Sequence, residues 1–210
     1  TGELYTLAIK NNGTLWGWGL NTYGQLGDGT NVKKNNPVQI GSATNWSSVN
    51  ACLAHSLAIK TDGTLWAWGL NNNSQLGDGT NTNSNIPIKI GTDTDWKEIT
   101  GGTYHSLALK TNGTLWGWGY GGPDDFLLGS GFPSIVPVQR GTDTDWAAIS
   151  GDRSHTLAIK TDGTLWGWGS NLFGQLGNGT ISGSFITQIG TDTWNKVFAT
   201  SYHSLGIRQD

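Results

Sequence analysis

The stretch His-Ser-Leu-Ala-Ile-Lys-Thr-Asp-Gly-Thr-Leu-Trp-Ala-Trp-Gly at residues 55–69 decides how this chain folds. Two short runs of strand-forming residues, Leu57–Lys60 and Thr64–Trp68, flank Asp62-Gly63. Asp-Gly and Asn-Gly favour two-residue hairpin loops, in which both central positions need positive φ. The stretch therefore predicts a β-hairpin. With Asp62-Gly63 as the loop, Ile59 is expected opposite Trp66 and Leu57 opposite Trp68, giving one bulky face, with Ala58 and Ala67 paired on the other.

The same block recurs. Copies start at Tyr5, His55, His105 and His155, and a fifth starts at His203. The turn dipeptide returns as Asn12-Gly13, Asn112-Gly113 and Asp162-Gly163, and the Trp-x-Trp pair as Trp16/Trp18, Trp116/Trp118 and Trp166/Trp168. A period of this size marks a stacked repeat architecture. The repeats run 1–50, 51–100, 101–150 and 151–198, with the start of a fifth at 199–210. Both ends of the sequence cut through a copy, so the expectation is a segment of a longer array. It is to be completed by further repeats of the same chain or by another chain.

Two more strands follow each hairpin. Pro37–Ile40, Pro87–Ile90, Pro137–Arg140 and Ile186–Ile189 form one set, and Trp46–Val49, Trp96–Ile99, Trp146–Ile149 and Trp194–Val197 the other. Four strands per unit and no amphipathic helix predict an all-β chain, a β-propeller of four-stranded blades with about four blades covered. Repetition also explains the composition. All 12 tryptophans fall at repeat positions, and charged residues are only 13% of the chain. Asn, Thr, Ser and Gly make the polar surface instead, a profile common in secreted β-rich proteins. Net charge is −3 and the 12 basic residues are scattered, which argues against a nucleic-acid partner. No run is long and apolar enough to span a membrane as a helix, and no signal peptide is visible.

The block at 55–69, followed by Asn71-x-x-x-Gln75-Leu-Gly-Asp-Gly-Thr80, closely resembles the repeats of the regulator of chromosome condensation family. Gly24–Thr30 and Gly174–Thr180 carry the same signature, and the resemblance covers essentially the whole chain. It implies a seven-bladed propeller, of which these residues are a little over half. The third copy departs from the pattern, with Tyr120-Gly-Gly-Pro-Asp-Asp-Phe-Leu-Leu-Gly129 where the others have Asn-x-x-x-Gln-Leu-Gly. One family role is nucleotide exchange on a small GTPase, with a basic tail on nucleosomes; no basic tail or cluster is present here. Another is ultraviolet-B sensing through a motif resembling Gly-Trp-Arg-His-Thr. The aligned stretches at 52–56, 102–106 and 152–156 lack its Trp.

No chemistry assembles from the remaining residues. His55, His105, His155 and His203 could suggest a ligand set, but they sit on separate blades, and Tyr5 fills the slot in the first copy. A repeated structural hydrogen bond is the simpler reading. Asp93-Thr-Asp95 and Asp143-Thr-Asp145 lack the spacing of a calcium loop. The glycosylation sequons at Asn12, Asn112 and Asn178 coincide with turn dipeptides. Cys52, the only cysteine, reads as a small residue in a turn. There is no nucleophile with a base and no phosphate cradle, so neither a cofactor nor a metal is expected.

Recognition should then lie where the copies disagree. The variable loops hold Tyr23, Tyr120, Phe126 and Phe173, and the turns before each His hold Tyr104, Arg153 and Tyr202. Aromatic residues and Arg are the types enriched at interface hot spots. The reading is a non-enzymatic protein-binding or surface-display module of a larger secreted or cell-surface protein, with a structural filament or assembly subunit as the alternative.

Overall fold

The computed structural model describes residues 4–121 and 133–209. They form sixteen strands and, among the described residues, no helix. The first sheet holds β1 (Tyr5–Ile9), β2 (Leu15–Gly19) and β3 (Lys34–Gln39). The second holds β4 (Trp46–Ala51), β5 (His55–Lys60), β6 (Leu65–Gly69) and β7 (Ser84–Ile90). The third repeats this with β8 (Trp96–Gly101), β9 (His105–Lys110), β10 (Leu115–Gly119) and β11 (Ser134–Gln139). The fourth is β12 (Trp146–Asp152), β13 (His155–Lys160), β14 (Thr164–Gly169) and β15 (Ser184–Ala199), the last of which runs on to pair with β16 (Ser204–Arg208). Each sheet is an antiparallel meander; the first three each belong to one propeller blade, and the fourth is a blade that runs on through β15 into the first two strands of the next. The strands β4, β8, β12 and the end of β15 line a central channel.

Blades and sequence repeats do not coincide. The strand opened by Trp46 closes the first copy in sequence but pairs with β5, not with β3. The second, third and fourth blades thus take their innermost strands, β4, β8 and β12, from the preceding copy, which ties neighbouring blades together covalently and by pairing. Pro37, Pro87 and Pro137 lie inside β3, β7 and β11 rather than at their starts. These are the outermost strands, where a missing N–H is tolerated.

The hairpins form as expected, but with three-residue loops. Gly63 N donates to Lys60 O at 2.9 Å and Lys60 N to Thr64 O at 3.1 Å, so Thr61-Asp62-Gly63 is the loop. Only Gly63 has positive φ, at 74°; Asp62 does not. The Asp62 side chain explains this: its Oδ1 accepts from Thr64 N at 3.1 Å and from Thr64 Oγ1 at 2.6 Å. Thr64 Oγ1 in turn accepts from Trp66 Nε1 at 2.9 Å. The sequence Asp-Gly-Thr-Leu-Trp is one relay that holds Asp62 in ordinary φ and leaves Gly63 as the bulge residue of a three-residue hairpin.

That extra residue shifts the register by one. Ile59 faces Leu65, Ala58 faces Trp66, Leu57 faces Ala67 and Ser56 faces Trp68. The expected pairs Ile59/Trp66 and Leu57/Trp68 are therefore wrong, because a one-residue slip moves side chains to the opposite face. The indoles share a face with the small Ser56 and Ala58; Leu57, Ile59 and Leu65 share the other with Ala67. Blades interlock through these two faces. Leu7, Leu15, Leu26 and Ile40 of the first blade receive Trp46, Ala58 and Trp68 of the second. The next two junctions repeat the pattern around Trp118 and Trp168.

Candidate functional site

Each blade end has a distinct rim. At one, the hairpin turns pack on the connections between blades, where Trp96 N donates to Gly63 O at 3.2 Å. Lys110 lies 4.9 Å from the Trp96 ring centroid and 4.4 Å from that of Trp116, and its ammonium pairs with Asp93 at 2.7 Å and Asp95 at 3.1 Å. Lys160 repeats the arrangement with Asp143 and Asp145. Burial disfavours the charge on Lys110, but the hydrogen bonds its ammonium donates to both carboxylates outweigh it and raise its pKa. The Asp-Thr-Asp motif is an ion-pair clamp.

At the other rim, the turn before each His meets the long loop after each Trp pair. Backbone bonds stitch them: Leu70 N to Ala54 O at 2.9 Å, Tyr120 N to Tyr104 O at 2.9 Å, Ser170 N to Ser154 O at 2.6 Å. The loops are closed by a buried asparagine. Asn21 Nδ2 donates to Asp28 Oδ1 at 3.0 Å and Thr30 O at 2.9 Å, while its Oδ1 accepts from Leu26 N at 2.9 Å. Asn71 and Asn171 do the same. The third copy has Gly121 here, so it lacks this clamp.

Beneath this rim the expected repeated histidine bond is made by His55 and His155, whereas neither ring nitrogen of the buried His105 has a hydrogen-bond partner among the described residues. His55 Nε2 and Ser106 Oγ lie 2.8 Å apart across a blade junction, and His155 Nε2 and Ser204 Oγ lie 2.9 Å apart across another. Ser106 Oγ continues to Gln75 O at 2.7 Å. Tyr5 fills the same role, its hydroxyl bonding to His55 O at 2.5 Å and lying 2.9 Å from Ser56 Oγ. Burial drives the imidazole pKa down, to about 3 for His55 and about 4 for His105 and His155, so these rings are neutral at ordinary pH. No group of three potential metal ligands occurs among the described residues.

The central channel encloses about 720 Å³. Its polar side chains stitch one inner strand to the next. Thr100 Oγ1 donates to Gly151 O at 3.0 Å and accepts from Gly151 N at 2.9 Å, and Ser150 Oγ accepts from Ala199 N at 2.9 Å. Glu98 Oε2 accepts from Ile149 N at 3.3 Å, and burial raises its carboxyl pKa. Cys52 is buried on this wall with its thiol against Asn50 Oδ1, and burial pushes its pKa up.

All the sequence-selected recognition residues that the structure describes lie on the loop rim. Phe173, 70% exposed, packs edge-on against Tyr202, 53% exposed, with ring centroids 5.2 Å apart. Arg153 Nη1 donates to the Tyr202 hydroxyl at 2.9 Å, and its guanidinium lies 5.7 Å from the ring centroid. These three form one cluster drawn from three segments. Tyr104 and Tyr120 are neighbours through their backbone bond and are exposed, as is Tyr23 on the first blade's loop. Phe126 lies outside the described residues. Sequence reasoning missed Leu172, next to Phe173 in the same loop and 72% exposed. The signal was available: its counterparts are Thr22 and Asn72.

Models of the regulator of chromosome condensation (RCC1) repeat match residues 12–59 and 62–109, and a second such model matches 47–75 and 150–175. Among solved structures, human WBSCR16 superposes with a TM-score of 0.89 at 23% identity, over 100% of this chain and 57% of that one. Prp20p of Saccharomyces cerevisiae, described with its binding to Gsp1p and histones, gives 0.84 at 19% identity, over 100% and 55%. Yeast RCC1 bound to Kap60 gives 0.84 at 19%, over 100% and 53%. The chain thus spans little more than half the length of these structures, and at such identity the likeness concerns the fold. A search of curated protein sequences returned no match.

Proposed function

Since this chain belongs to the regulator of chromosome condensation repeat family, we propose that it is a non-enzymatic propeller module that binds a protein partner through its loop rim, around Phe173, Tyr202 and Arg153. The observation that carries this reading is the cluster of the exposed rings of Phe173 and Tyr202 with the half-buried Arg153. Large aromatic side chains left in water and braced by a guanidinium are poised to gain from desolvation by a partner. At the other rim Lys110 and Lys160 are held in Lys–Asp clamps, and Lys10 and Lys60 stand over the rings of Trp16 and Trp66. The channel walls use their polar groups on each other, which supports a binding rather than a catalytic role. The low charge content and the Asn-, Thr- and Gly-rich surface support display on a secreted or cell-surface protein.

A photoreactive benzoylphenylalanine placed at position 173 or 202 tests the reading. Adducts with one protein are expected from either position, in extracellular medium or surface fractions, and none from the same probe at position 161 on the hairpin rim. Equal labelling from 161, or none from 173 and 202, refutes the rim assignment. Adducts confined to cytosolic or nuclear extracts refute the display setting alone.

A further inference from the structure

The hairpin rim repeats one lysine seat, and the copies complete it differently. In the third blade Lys110 stands over Trp96 and Trp116 and is met by Asp93 and Asp95 at 2.7 and 3.1 Å. In the fourth, Lys160 stands over Trp146 and Trp166 and is met by Asp143 and Asp145 at 2.8 and 3.2 Å. The second blade builds the same seat, with Lys60 4.0 Å from the Trp66 ring centroid and 4.8 Å from that of Trp46. The connection beside it also runs the same course. Thr61 N donates to Asn45 O at 2.8 Å, as Thr111 N does to Asp95 O and Thr161 N to Asp145 O. Yet that connection reads Ala43-Thr-Asn45 where the others read Asp-Thr-Asp, and Lys60 makes no ion pair among the described residues.

A second change points the same way. Lys89 pairs with Trp66 in the ladder, where the other blades have Gln39, Gln139 and Gln188 opposite their own Trp. It is exposed and, like Lys60, forms no ion pair among the described residues. Both lysines act on the turn between them: the Asp62 carboxyl pKa is lowered first by its bonds from Thr64, then by the charges of Lys60 and Lys89. Asp62 itself spends Oδ1 on Thr64 and pairs with neither. With Asp62 included, these positions carry a net +1 in the second blade. The third carries −1 from Lys110, Asp93 and Asp95, and the fourth −2 from Lys160, Asp143, Asp145 and Asp162. The seat lies inside the array, with the first blade packed on one side of its sheet and the third on the other.

We infer that the seat formed by Lys60, Trp66 and Lys89 binds an acidic segment of a partner protein, of the form Asp-x-Asp. Its carboxylates meet Lys60 as Asp93 and Asp95 meet Lys110. The third and fourth blades show that two carboxylates one residue apart fit such a seat, and the second blade has kept the cation while losing both acids. An ammonium already held against indole faces has little freedom left to lose, so an incoming carboxylate finds a preformed partner. Lys89 adds positive potential that favours acidic segments over others. The site is on the rim opposite the Phe173–Tyr202–Arg153 cluster and shares no residue with it, so neither reading depends on the other.

Titration of the 210-residue chain with an acetylated, amidated Asp-Thr-Asp peptide, followed by NMR, tests it. The Trp66 indole signal should shift and saturate at millimolar peptide, and Asn-Thr-Asn should leave it in place. Lys60→Gln should weaken binding about fivefold, the upper range for one exposed ion pair. Ala43→Asp combined with Asn45→Asp refills the seat from within the chain and should weaken binding at least as much. That variant restores the arrangement of the third blade, so it should melt no lower than the wild type, which keeps the test sound if Lys60→Gln folds poorly. A wild-type chain that does not bind the peptide overturns the inference, as does binding indifferent to the Ala43→Asp, Asn45→Asp pair. Displacement of the peptide by an equal concentration of inorganic phosphate also overturns it, by showing a general anion site in place of one that reads Asp-x-Asp.

Discussion

The two rims of this molecule are built from the same strands yet differ in kind. At the hairpin rim every copy carries the Asx-Gly-Thr-Leu-Trp relay, and turns and inter-blade connections are locked together through backbone bonds. At the loop rim the scaffold is equally repetitive, with a buried Asn closing each described loop of three copies, but the residues that project from it change from copy to copy. The difference teaches where repetition carries stability and where divergence is tolerated. A side chain enclosed by its neighbours cannot vary without cost, whereas one standing in solvent can.

The sharpest way to break this comparison is at the hairpin rim. A Cβ at Gly63 overlaps the carbonyl oxygen of Thr94 and demands a left-handed conformation. Gly63→Ala should therefore cost about 3 kcal/mol or more, left-handed strain alone being about 1–2 kcal/mol. Urea denaturation measures it, and a cost below about 1 kcal/mol would mean that the turn is not locked.

An intermediate effect lies beneath the loop rim. His55, His105 and His155 have pKa values depressed to about 3, 4 and 4 from an ordinary 6.5. Below pH 6.5 the unfolded chain takes up protons that the native chain refuses, so stability falls as pH drops from about 6.5 towards 4. Near the middle of that window the unfolding constant should change by about tenfold per pH unit for each histidine. His105→Gln should flatten the dependence by about one proton. A stability that is level from pH 7 to 4.5 contradicts neutral buried rings.

The smallest effect belongs to the exposed cluster. Phe173→Ala and Tyr202→Ala should each change stability by about 0.5 kcal/mol or less, the range of surface substitutions. If either matches Gly63→Ala in cost, the loop rim is structural and the contrast between the rims fails.

By itself, the sequence determined the repeat, the four-stranded blade, the hairpin positions and the rim on which the variable aromatics lie. These follow from local chemistry: Asx-Gly marks a turn, alternating strand formers mark strands, and a fixed period forces every copy into one environment. Tertiary structure alone decided the register, because Asp62 spends its carboxylate on Thr64 and so avoids the positive φ that a two-residue loop demands. It also decided which blade each Trp-led strand joins, since pairing β4 with β5 rather than β3 is a choice between edges that no local signal distinguishes. Within the candidate site, disagreement between copies exposed Phe173, Tyr202 and Arg153 individually. Their union in one cluster depends on the fourth blade's loop meeting the turn before β16, a contact between segments distant in sequence and set by how strands pack.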